Sequence, residues 1–141
     1  MHSNDISADR NALRALLEDT RTIAIVGLSP RPERASNEVA RYLRAAGYTI
    51  IPVNPACTDV LGEKCYPSLR DVPGPIDMVD VFRRSEEVMA VAEDAIAVGA
   101  RSLWLQLGVI APEASARAAD AGLKVVIDRC TKIEHAVLIG R

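Results

Sequence analysis

Three features of this chain predict an α/β fold around a parallel, five-stranded sheet. Five short apolar runs rich in β-branched residues stand at 22–26, 49–53, 78–82, 102–105 and 125–128. Between them apolar residues recur at helical spacing. Three of the intervening segments close on Ala45-Ala46-Gly47, Ala97-Val98-Gly99 and Asp120-Ala121-Gly122, the form of a helix ended by a C′ glycine that feeds the next strand. The scale fits: 141 residues, 49% of them hydrophobic, make one domain with a real core and are too few for two ordinary ones.

Each element has a local cause. An amphipathic helix at 8–18, carrying Leu13, Leu16 and Leu17, is expected to pack across the sheet. Ile23, Ala24, Ile25 and Val26 form a continuous apolar run, the mark of a central strand buried on both faces. The helix at 36–46 aligns Val39, Leu43 and Ala46, with Ser36 as its expected N-cap. That at 85–98 aligns Val88, Val91, Ala92, Ala95 and Ile96, with Ser85 as its cap and Glu86 and Glu87 in the first turn. A further helix starts at Pro112, a favourable first helical residue, and runs to 121. Between Pro55 and Pro75 the chain carries Gly62, Pro67, Pro73 and Gly74 with little periodicity, so a loop is expected, with at most one short helical turn near 68–71. Right-handed crossovers arrange the strands as a doubly wound, Rossmann-like sheet, in the expected order 3-2-1-4-5.

Composition excludes several classes of function. A net charge of −2 and 4% aromatics do not make the basic, stacking face of a nucleic-acid binder. No apolar run reaches membrane-spanning length, and the first ten residues lack the apolar core of a secretory signal, so the cytoplasm is the expected compartment. Cys57, Cys65 and Cys130 are odd in number and show no C-x-x-C spacing, which suggests neither a disulfide framework nor a zinc site. Cys130 and His135 have no metal-ligand company, and His2 is expected to be disordered. Doubly wound domains of this size often form dimers, so a homodimer is a possible assembly.

Ligands of open parallel sheets lie outside the carboxyl ends of the strands. Those ends carry Gly27-Leu28-Ser29, Asn54-Pro55, Arg83-Arg84, Gln106-Leu107-Gly108 and Arg129-Cys130. The first is the most informative. Gly27 lets the backbone turn and a ligand approach without an intervening Cβ, and the start of the next helix offers free N–H groups at a positive dipole end. The stretch is not G-x-G-x-x-G, since Ser29 and Pro32 stand where glycines would be. Asn54-Pro55 also stands where a nicotinamide enzyme needs an acid for its ribose hydroxyls, which argues against a dinucleotide oxidoreductase. No Ser-His-Asp set, histidine pair or carboxylate pair converges on this edge, so no catalytic residue is identified.

Taken together, V-G-L-S-P-R-P-E-R-A-S, Gly47-Tyr48, Ile51-Pro52-Val53-Asn54-Pro55, Val79-Asp80-Val81-Phe82-Arg83, Trp104-Leu105-Gln106-Leu107-Gly108 and Asp128-Arg129-Cys130 resemble the family of single-domain CoA-binding proteins. That family is similar to the CoA-binding domain of the succinyl-CoA synthetase α subunit and of ADP-forming acyl-CoA synthetases. The resemblance spans about 21–135. It implies that Gly27, Leu28, Ser29, Arg31, Arg34, Ala35 and Ser36 hold the phosphates of coenzyme A, with Gln106, Leu107 and Gly108 on the same ligand. Asn54, Pro55, Phe82 and Arg83 would wall the adenosine or pantetheine side, and Cys130 stands on the same rim. A lysine of the ligase is replaced here by Cys57, with Arg31 or Arg34 as substitute cations, and the ligase's phosphorylated-histidine domain has no counterpart. The expected function is therefore binding of CoA or an acyl-CoA without a catalytic set. A partner-dependent ligase fragment, a thiol-exchange protein acting through Cys130, a nicotinamide-type nucleotide binder and a ligand-free interaction module are the alternatives.

Overall fold

The computed structural model describes residues 2–140, so Met1 and Arg141, the ends of the expected domain, lie outside the described residues. In chain order the elements are α1 (Arg10–Asp19), β1 (Thr22–Val26), α2 (Ala35–Ala45), β2 (Thr49–Val53), the hairpin strands β3 (Asp59–Val60) and β4 (Glu63–Lys64), β5 (Met78–Val81), α3 (Val88–Ala97), β6 (Ser102–Leu105), α4 (Pro112–Asp120), β7 (Lys124–Val126) and α5 (Thr131–Leu138). The five main strands form the expected parallel, Rossmann-like sheet, in the order β2-β1-β5-β6-β7.

The expected order 3-2-1-4-5 is thus corrected to 2-1-3-4-5: the third main strand, β5, lies beyond β1 and leaves β2 at the edge. Pro52 gives the reason. On the side of β2 away from β1, the Tyr66 N–H donates to Pro52 O at 3.0 Å and the Asn54 N–H donates to Tyr66 O at 2.9 Å. Pro52 has no N–H to offer on that side, so a full strand there would lose a ladder bond. Tyr66 covers this edge with a single bridge, and Asn4 and Ile6 bond Val125 at the opposite edge. Each edge is thus partly covered by a neighbouring segment of the chain.

Alternation along the strands divides the core in two. Ala24, Val26, Val79, Val81, Leu103 and Leu105 pack with Val88, Ala92 and Ala95 of α3 and Ala114, Ala118 and Ala119 of α4. Ile23, Ile25, Met78 and Trp104 pack with Leu13 and Leu17 of α1, Val39 and Leu43 of α2 and Leu138 of α5. Helices on both faces explain why the central strands read as unbroken apolar runs. Each such leucine contributes roughly 1.5–3 kcal/mol by its burial.

Local details depart from expectation for physical reasons. Helix α2 begins at Ala35, with Arg34 in the cap position and no side-chain cap, so Ser36 lies inside the first turn. Ser85 opens a short 3-10 turn, and its hydroxyl accepts the Ile110 N–H at 3.0 Å instead of capping α3. The β3–β4 hairpin turns through Leu61 and Gly62, both at positive φ, where an Asn-Gly pair would have been the usual signal. Helix α5 was not expected, because its buried face carries Thr131 and His135 beside Leu138 and hides the apolar period. His2 is not disordered: its Nε2 stands 3.0 Å from Asp120 Oδ1, and its Nδ1 accepts the Asn4 N–H at 2.9 Å.

One polar group interrupts the apolar middle of the sheet. Asp80 of β5 is fully buried between Ile25 and Trp104. Its Oδ1 accepts the Gln106 Nε2–H at 2.7 Å and its Oδ2 accepts the Thr131 hydroxyl at 3.0 Å, while Gln106 Nε2 also donates to Thr131 Oγ1 at 2.9 Å. This closed triangle joins β5, the end of β6 and the start of α5. Burial pushes the Asp80 carboxyl up to about 7, and the two hydrogen bonds only partly oppose that. The folded chain therefore keeps a proton that the unfolded chain releases near pH 4, so stability falls as pH rises toward and through 7. The full loss, accumulated between about pH 4 and pH 7, is on the order of 4 kcal/mol. Melting temperatures at pH 5 and pH 8 should differ more in the wild type than in Asp80→Asn, whose side chain keeps the shape and cannot ionise. Parallel pH dependence in the two proteins would contradict this.

Candidate functional site

The site is set where β1 leaves the sheet. Gly27 takes φ +90°, and its N–H donates to Val53 O at 2.8 Å, while the Phe82 N–H donates to Val26 O at 2.9 Å. The backbones of β1 and β5 come so close here that a Cβ on Gly27 would lie 2.3 Å from Phe82 O. Only glycine meets both demands.

Beyond Gly27 the loop is held by the helix it feeds. The Ser29 N–H donates to Ser36 Oγ at 3.0 Å, and the Arg31 N–H donates to Ser29 Oγ at 3.1 Å. Asn37 Nδ2 donates to Ser29 O at 2.9 Å, and Arg41 donates both to Asn37 Oδ1 and to Pro32 O at 2.9 Å. From the β2 side, Asn54 Nδ2 donates to Leu28 O at 3.0 Å, and Asn54 Oδ1 accepts the Ala56 N–H at 2.9 Å. Side chains thus fix the loop without capping α2. The first N–H groups of that helix, at Ala35 and Ser36, keep their positive end toward the edge of the sheet. Ser36, having accepted from Ser29, retains its hydroxyl hydrogen for a second partner.

Gly27, Ser29, Arg34, Ala35, Ser36, Asn54 and Phe82 line one open cleft of about 420 Å³. On the other side of the β1–β5 junction, Val26, Pro55, Pro67, Leu69, Arg83 and Val91 are among the lining residues of a second hollow of about 440 Å³. Arg83 stands 3.9 Å from Glu87, a loose pair at the mouth of that hollow. The expected residues of the β1 loop and of the ends of β2 and β5 therefore converge on two adjoining clefts. Arg31 is exposed and Leu28 is fully buried, and neither lines either cleft.

The ends of β6 and β7 are arranged differently. Gln106 is 4% exposed, and its Nε2 is engaged by Asp80 and Thr131, so it serves the interior of the sheet. Leu107 is exposed, and the Gly108 N–H donates to Asp128 Oδ1 at 2.7 Å, tying the two loops together. Cys130 is half-buried in the cap position of α5 and makes no side-chain cap. None of these four lines either cleft. Asn37 and Arg41, absent from the sequence reading, do organise the loop; the available signal was a polar residue on the buried side of a helix, where Asn37 is 2% exposed. Among the described residues, no cluster of three or more His, Cys, Asp or Glu is placed to hold a metal ion, and no helix is long and apolar enough to cross a membrane.

The chain resembles several known proteins. The chain is 43% identical over 125 residues to the YneT protein of Bacillus subtilis (strain 168), covering 89% of this chain and 93% of that protein. It superimposes on a hypothetical protein from Pyrococcus horikoshii OT3 with a TM-score of 0.93 and 41% identity, covering 99% of each chain. It is also 28% identical over 74 residues to an ADP-forming acetate–CoA ligase of Archaeoglobus fulgidus, a match that covers 52% of this chain and 11% of the ligase. The model of the CoA binding domain matches residues 21–136, and the chain belongs to that family.

Proposed function

We propose that this protein binds coenzyme A or an acyl-CoA at the carboxyl edge of its sheet, with the phosphates in the cleft between Gly27 and the start of α2. The observation that carries this reading is an uncapped helix N-terminus facing a 420 Å³ cleft beside a glycine that no other residue can replace. The Ala35 and Ser36 N–H groups, the Ser36 hydroxyl and the Arg34 guanidinium are then the donors to phosphate oxygens. The hollow of Pro55, Pro67, Leu69 and Val91 suits the flat apolar faces of an adenine, with Arg83 at its mouth. Membership of the CoA binding domain family and the relation to an acetate–CoA ligase support the same ligand. Asn54, at the end of β2, stands where a nicotinamide dinucleotide needs its ribose acid, and its Nδ2 is committed to Leu28 O.

Thermal denaturation tests the reading directly. CoA at a hundred times its dissociation constant should stabilise the protein by roughly 2.7 kcal/mol, several degrees for a domain of this size, whereas NAD should have little effect. Equal responses to the two ligands would overturn it.

Arg34 lines the cleft and Arg31 does not, which makes Arg34 the cation for the phosphate of the adenosine ribose. A charge-assisted contact of this kind is worth about 1.5–3 kcal/mol. Calorimetry should show dephospho-CoA binding more weakly than CoA in the wild type, with the difference largely gone in Arg34→Ala. An undiminished difference in the variant would remove Arg34 from this role.

A further inference from the structure

Two cysteines share one backbone carbonyl at the end of β2, outside the lining of both clefts. Asn54 O accepts both the Cys57 N–H at 3.3 Å and the Cys65 thiol at 3.4 Å, so one carbonyl gathers the backbone of the first cysteine and the sulfur of the second. The β3–β4 hairpin sets their offset. The Cys65 N–H donates to Thr58 O at 3.0 Å, which puts Cys57 one residue from the cross-strand partner of Cys65. Positions so related lie about 6 Å apart at Cα, within the span of a disulfide, and because Cys57 precedes the strand, strand alternation does not fix the direction of its side chain. Cys57 is half-buried and Cys65 buried, and both pack against the same core as Leu28 and Val60. Burial first, and the neighbouring Cys57 second, push the Cys65 thiol up, and Cys57 is the more exposed of the two.

We propose that Cys57 and Cys65 form a redox-active dithiol that exchanges with small-molecule disulfides and closes to an internal disulfide beside the binding cleft. The Cys57 thiolate attacks one sulfur of the incoming disulfide, forming a mixed disulfide and expelling one small thiolate. Cys65 then attacks the Cys57 sulfur, forming the internal bond and expelling the second small thiolate. The two protons released by the cysteines are taken up by the two leaving thiolates. The small disulfide is thereby reduced to two thiols, and the protein's dithiol is oxidised by two electrons. Closure removes the Cys65 hydrogen bond to Asn54 O and draws residues 54–57 toward the hairpin. Because Asn54 Nδ2 also holds Leu28 O, the change reaches the loop that lines the cleft.

Disulfide mapping after treatment of the reduced protein with glutathione disulfide tests the proposal. Trypsin cuts after Lys64, between the two cysteines, so the internal bond leaves residues 45–64 joined to residues 65–70. That linked peptide is the expected product. Cys65→Ser should instead retain glutathione on Cys57, and Cys57→Ser should leave Cys65 reduced. Separate, alkylatable peptides after oxidation, or glutathione carried by Cys130 alone, would overturn the dithiol. The coupling to the cleft rests on the proposed CoA site: CoA should bind about tenfold more weakly to the oxidised protein, and equal affinity in both redox states would overturn that coupling. Absence of CoA binding in both states would instead count against the CoA site, since the mapping reads the dithiol without CoA.

Discussion

The close approach of β1 to β5 at Gly27 is the constraint on which the site depends. A Cβ there would meet Phe82 O at 2.3 Å, and the residue already stands at φ +90°. The two strands can pair to their ends only because this position is empty. That pairing brings the loop after β1, the Asn54 turn and Phe82 around one cleft. It also puts the point where the sheet reverses its winding between β1 and β5, the place where open α/β sheets receive ligands.

Most polar side chains near the cleft are directed at the protein. Asn54 holds Leu28 O, Ser36 and Asn37 hold Ser29, and Arg41 holds both Asn37 and the loop. These bonds fix the shape of a loop that contains Pro30 and Pro32 and little regular structure. What they leave free is a set of backbone donors at the start of α2. Recognition of an anion by fixed backbone dipoles loses little entropy on binding, because no side chain has to be ordered first.

The chemistry of the strands made the sheet legible, since two-sided burial leaves continuous apolar runs and each glycine after a helix stands at positive φ. The strand order was legible in principle: Pro52 in the second strand marks an edge, a signal that crossover rules alone do not supply. Helix α5 and the short hairpin were hidden for opposite reasons. One buries Thr131 and His135 where apolar residues were sought, and the other turns through Leu61, a residue seldom used at positive φ. In the site, glycine and serine in the β1 loop were legible, and the structure places both in the lining of a cleft. Gln106 was read for its position at a strand end, and the structure turns its amide inward because Asp80, one apolar-looking strand away, needs a donor. Pairings of that kind follow from register, which one strand read by itself does not contain.

Backbone amide chemical shifts followed during titration with CoA test the central claim most directly. Gly27, Ser29, Ala35 and Ser36 should show the largest changes, with Leu107, Gly108 and Asp128 nearly unmoved. Changes concentrated at the ends of β6 and β7, with the start of α2 unaffected, would contradict the placement of the phosphates.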